Sequence, residues 1–181
     1  MMNTKKDSLS NKFFQALIFV FGSIWFGSQI SKLLTIFHFF QSDEFGRLSL
    51  RESINFNLIV DLYYQLIPLF SVTIVSYIIF IIILFIYFLN NIRTLKFKGW
   101  LFISIVIIFF CVPFEIYLLS IDCEILVSAY NKSANPYSFI KLSEERISIL
   151  GNFPLISIFL HLITLFLISF KPLDKENRVE N

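Results

Sequence analysis

The sequence predicts an all-α fold: an integral membrane four-helix antiparallel bundle with a short extracytoplasmic amphipathic segment. Three observations carry this expectation. Four apolar stretches, about 13–37, 58–89, 100–120 and 153–170, are close to or beyond the ~20 residues a helix needs to cross a bilayer. The 181-residue chain is 56% hydrophobic and only 15% charged, far from the composition of soluble domains, which could not hide four such segments. The connections are short except for 121–152, which leaves one membrane domain over 1–181 and no room for a soluble catalytic domain.

Taken in order, the first stretch follows Lys5, Lys6 and Lys12, and Gly22, Ser23, Gly27 and Ser28 offer small residues suited to a signal-peptide cleavage site. Its apolar residues nevertheless continue to Phe40, past the ~7–15 residues of a usual signal-peptide core, so the segment is expected to be retained. Ser23, Gly27 and Ser31 form a small-xxx-small-xxx-small ridge, expected to pack inside the bundle. The second stretch would be about 48 Å long as a helix and must tilt or project from the membrane. Ser49 and Glu52 have capping-box spacing, placing its start in the connection. Pro68 is expected to bend it and free a carbonyl near Tyr64. Tyr63 and Tyr64 lie about 36 Å from Tyr87, and Trp100 about 25 Å from Tyr117, so these aromatics are expected as interface anchors.

Beyond the third stretch, 121–129 continues the same helix outward, and a turn follows around Asn131 to Pro136. Ser143, before Glu144 and Glu145, predicts the start of a short helix that ends at Gly151 and Asn152, with Pro154 opening the last span. Leu142, Ile147 and Leu150 are expected to rest it on the membrane surface. Lys and Arg concentrate in the N-terminus, in the second connection (Arg93, Lys96, Lys98) and in the C-terminus (Lys171, Lys175, Arg178). The positive-inside rule then places both termini in the cytoplasm, and a bacterial cytoplasmic membrane is the expected setting.

Several function classes fall away. A net charge of +2, without an exposed basic patch interleaved with aromatics, does not support nucleic-acid binding. Cys111 and Cys123 are about 18 Å apart on one helix and cannot bridge. No CxxC or zinc spacing exists, so neither a metal nor a cofactor is expected. His38 lies about 12 Å shallower than His161, unsuited to a shared haem. The Asn131-Lys132-Ser133 sequon reads as chance. No catalytic residue is assigned.

What remains is a polar layer. Each predicted span carries polar residues at helical spacing in its outer half: Ser28, Ser31, Lys32 and Thr35; Asp61 and Gln65; Glu115 and Asp122, with Cys111 a turn inward; Ser157, His161 and Thr164. Asp61 lies about 5 Å in, Lys32 and Glu115 about 8 Å, Gln65 about 11 Å and His161 about 12 Å. The candidate intramembrane cluster is therefore Lys32, Asp61, Gln65, Glu115 and His161. A lone ion there is costly, so Lys32 is expected to pair with Glu115 or Asp61. The other half, through Ile78 to Leu89, Leu101 to Phe110 and Leu162 to Ile168, is an apolar floor that argues against a simple channel.

Two functions fit this pattern. The first is an accessory or interaction subunit of a membrane complex, partnered by the lipid bilayer and by a larger assembly or a second copy. The alternative is an outward-facing site for a lipid, quinone or small amphiphile, in which Lys32, Glu115 and His161 do acid–base work. A proton-coupled transporter would further require the floor to open.

Overall fold

The computed structural model describes residues 3–42, 48–51, 56–130, 136–149 and 153–172. In chain order these form α1 (Asn3–Phe39), β1 (Phe40–Ser42), β2 (Leu48–Leu50), α2 (Phe56–Asn91), a 3₁₀ turn (Ile92–Thr94), α3 (Gly99–Tyr130), α4 (Pro136–Ser148) and α5 (Phe153–Phe170). Among the described residues, α1, α2, α3 and α5 are long and apolar enough to cross a membrane. The chain is an integral membrane protein.

The four long helices pack in a circuit: α1 on α2, α2 on α3, α3 on α5 and α5 on α1. Neighbours run antiparallel, because partner numbers fall along one helix as they rise along the other. Asn11 meets Asn91, Gln15 meets Tyr87 and Trp25 meets Tyr77; Tyr63 meets Ser128 while Phe85 shares a groove with Phe109; Trp25 meets His161 while Gly22 faces Leu165, so α3 and α5 are antiparallel as well. The outward faces are apolar, with Phe13, Val75, Phe85, Phe109 and Phe159 exposed for contact with acyl chains. Since lipid is as apolar as leucine, close packing and polar ties rather than the hydrophobic effect hold such helices together. Gly22 supplies one close contact: a Cβ there would stand 2.9 Å from the Leu165 side chain and 3.1 Å from that of Phe80, so any larger residue would have to push these side chains aside.

At the end of the circuit that carries the start of α1, the end of α5 and the α2–α3 connection, hereafter the terminal end, polar pairs tie α1 to α2. Asn11 and Asn91 exchange amide hydrogen bonds of 3.4 and 3.2 Å, and Gln15 donates to the Tyr87 hydroxyl at 2.8 Å. The expected apolar floor is thus laced by hydrogen bonds at its edge. At the opposite end, α4 packs on α2 and α3. There the Tyr63 hydroxyl donates to the Ile125 carbonyl at 3.0 Å and lies 3.0 Å from the Ser128 hydroxyl.

Several local expectations are corrected. Ser49 lies in β2, where it pairs with Gln41, so it caps no helix; Glu52 is outside the described residues. This antiparallel pair of three-residue strands had no signal in the sequence. Ser143 does not start α4, which begins at Pro136, because proline lacks only an amide that the first turn leaves unpaired anyway. Ser143 is instead buried mid-helix. Ile147 and Leu142 do not rest on lipid: they pack with Ile36, Tyr63 and Ile121 in a protein core. Leu150, Gly151, Asn152 and 131–135, the sequon among them, lie outside the described residues. Of the aromatic anchors, Tyr64 and Tyr117 are exposed, whereas Tyr63, Tyr87 and Trp100 are buried. Pro68 sits on an exposed face within α2, which continues on both sides of it. The Ser23, Gly27, Ser31 ridge faces outward, not into the circuit: all three are exposed, and a Cβ at Gly27 would meet nothing within 4 Å.

Candidate functional site

At the α4 end, three charged side chains from three helices meet inside the protein. The Lys32 ammonium of α1 donates to Asp122 Oδ2 of α3 at 2.5 Å, and Arg146 Nε of α4 donates to Asp122 Oδ1 at 2.6 Å. Arg146 Nη2 adds a longer bond of 3.4 Å to Oδ2. All three side chains are at most 1% exposed. Lys32 also lies 5.2 Å above the Phe70 ring centroid of α2, a geometry in which the ring's negative face favours the cation.

This arrangement replaces the expected pairing of Lys32 with Glu115 or Asp61. Helical spacing explains the choice. Asp122 stands seven residues beyond Glu115 and so on the same face, about two turns nearer the α4 end, where Arg146 can reach it. Asp61 and Gln65 are exposed and belong to no buried cluster. Only Lys32, Glu115 and His161 of the five candidates are buried in the core.

Glu115 lies one layer deeper and is 2% exposed. It is within Coulombic reach of Lys32, Arg146 and Asp122, so these four groups together carry two positive and two negative formal charges. The Ser157 hydroxyl of α5 lies near the Glu115 carboxyl and the Cys111 thiol and 3.4 Å from His161 Nδ1. One turn on, His161 Nδ1 lies 2.8 Å from the Ser157 carbonyl. A carbonyl only accepts, so Nδ1 carries the hydrogen. The ring packs among aromatics, with centroid distances of 4.7 Å to Trp25, 5.8 Å to Tyr77 and 6.0 Å to Phe80. Lys32 and His161 therefore occupy different layers, with Glu115 and Ser157 lying between them.

Buried polar atoms near this seam lack partners within the protein, among them Arg146 Nη1, Glu115 Oε1, His161 Nε2, the Tyr77 hydroxyl, Trp25 Nε1 and the Gln29 amide. The set contains both donors and acceptors. Gln29 escaped the sequence reading because the polar stripe of Ser28, Ser31, Lys32 and Thr35 passed it by, and Ser31 and Thr35 drew that stripe off the buried face. The buried face of α1 includes Trp25, Ser28, Gln29, Lys32, Leu33 and Ile36, while Ser31 points outward. Arg146 was legible only as one of several charges in the long third connection, since nothing in the chain announces which charge turns inward. Among the described residues no group of three His, Cys, Asp or Glu side chains is arranged to hold a metal ion.

Comparison with family models, with curated proteins and with solved structures returns no match for this chain. The chemistry of the site must be read from its own atoms. Charges that pair with one another and are closed to solvent act as a fastener, fixing the height at which α1, α3 and α4 meet. Satisfying a buried ion demands a particular register, and the penalty for losing it enforces that register.

Proposed function

We propose that this protein is a small multi-pass membrane protein that works as an accessory or interaction subunit of a membrane complex, with both termini in the cytoplasm. The exposed ridge of Ser23, Gly27 and Ser31 on α1 carries the reading. Small residues four apart let the backbone of a second helix approach closely, and in this chain the ridge is left to the outside while Gly22 makes the internal contact. Beside it runs a groove of about 360 Å³ lined by Phe19, Ser23, Phe26, Leu162, Phe166 and Phe170, able to receive the side chains of such a helix. The ion layer supports the same reading, because Lys32, Asp122 and Arg146 pair with one another and are closed to solvent.

Gly27→Leu tests it without disturbing the fold, since the space around Gly27 is open. Gently extracted wild-type protein should run on a native gel in an assembly heavier than its own 21.3 kDa, and the variant should leave that assembly. A wild-type chain that runs alone contradicts the proposal.

A second reading is favoured by one observation: Glu115 Oε1 and His161 Nε2 are buried without partners, as groups kept for a small amphiphile would be. It requires the core to open, because Lys32, Glu115 and His161 are at most 2% exposed. Glu115→Gln and His161→Gln would then abolish amphiphile binding while the folded protein persists; equal loss of fold in both returns the argument to packing.

A further inference from the structure

A groove between α2 and α3 opens toward lipid near the terminal end and encloses about 360 Å³. Ile81, Phe85, Leu89 and Ile92 line one wall, and Ile108, Phe109 and Val112 belong to the other. Ile81 to Ile92 spans about 16 Å of helix axis, a length suited to one acyl chain. Polar atoms contribute almost nothing to the lining, so the site offers an aliphatic occupant contact area and nothing else.

The mouth is different. Immediately after Ile92 come Arg93, Lys96 and Lys98, and the stretch from Tyr87 to Gly99 contains no acidic residue. Arg93 and Lys96 are exposed. They stand on an ordered turn: Leu95 N–H donates to the Ile92 carbonyl at 3.2 Å, Phe97 N–H to Thr94 at 3.0 Å and Lys98 N–H to Leu95 at 3.3 Å. The first turn of α3 begins in the same connection at Gly99, and helix N-termini favour anions. An apolar slot whose last lining residue, Ile92, leads directly into a basic connection matches a molecule with a hydrocarbon chain and an anionic head.

We propose that the α2–α3 groove and its basic connection bind one anionic phospholipid, with an acyl chain along Phe85 and Phe109 and the phosphate against Arg93 and Lys96. Charge complementarity selects this occupant over a second protein helix, which would present apolar side chains but no anion at the rim. A zwitterionic lipid fills the slot equally well and loses the net attraction of the head. Neither the ridge on α1 nor the polar core takes part, so the site stands whether or not the chain joins a larger complex.

The full chain, purified in detergent and offered phosphatidylglycerol or phosphatidylcholine with identical acyl chains, should retain the former preferentially in native mass spectrometry. Each basic residue near an anionic surface is worth about fivefold in binding. Arg93→Gln with Lys96→Gln, both at exposed positions, should erase most of the preference. Phe109→Ala, also exposed, should weaken retention of both lipids by removing groove wall while keeping their ratio. Inorganic phosphate at the same concentration should not displace the bound lipid, because the chain supplies part of the affinity. Equal retention of the two lipids by the wild-type protein overturns the proposal, as does a preference that survives the Arg93 and Lys96 substitutions.

Discussion

Asp122 is the residue on which the α4 end depends, since it accepts from Lys32 and Arg146 at once and has no solvent to fall back on. Replacing it with asparagine leaves two buried cations facing a neutral amide. Breaking a buried pair by removing one partner destabilises by about 3–5 kcal/mol, so Asp122→Asn should unfold at markedly lower denaturant or temperature than the wild type. Asp61→Asn, at an exposed position, should leave the transition where it was; a matching loss there would mean that Asp61 has a buried role. The sequence made Lys32 and Glu115 legible as buried charges because apolar residues surround them. It did not single out Asp122 as the partner, because Asp122 and Asp61 look alike in a linear chain: each is an acid near the end of an apolar stretch. Which one turns inward depends on the rotation of each helix about its axis, and rotation is set by distant packing such as Phe139 on Tyr63.

Helix periodicity and length were readable at the scale of elements. The last span, Phe153–Phe170, coincides with its apolar stretch, and the outward continuation of α3 runs to Tyr130. The start of α4 was not, because Ser143 before two glutamates imitates a cap while Pro136 starts the helix seven residues earlier. Faces were harder still. Ser23, Gly27 and Ser31 have the spacing of a packing ridge, yet Gly22, one residue away and so rotated by about 100°, makes the contact. The same substitution at the two glycines separates them. Gly22→Leu should cost about 1–3 kcal/mol by overpacking against Leu165 and Phe80, whereas Gly27→Leu should keep the wild-type unfolding transition and affect association alone. Equal melting behaviour of the two variants would show that α1 is rotated differently.

For the molecule as a whole, the membrane class followed from composition and the antiparallel order from four spans joined by short connections. Orientation yields a direct check. Cys123 is exposed near the α4 end and Cys111 is buried, so a membrane-impermeant maleimide added to intact cells should label Cys123 only, consistent with cytoplasmic termini. Labelling that requires permeabilised cells reverses the orientation. Charges from α1 and α3 fasten these helices to each other and to α4, and a double-mutant cycle of Lys32→Met and Asp122→Asn in reversible detergent unfolding tests that role. Residues in direct contact within a network couple by about 0.5–3 kcal/mol, so the double variant should lose less stability than the two single losses added together. Strict additivity would show that Lys32 and Asp122 do not act on one another, and the fastener account would be wrong.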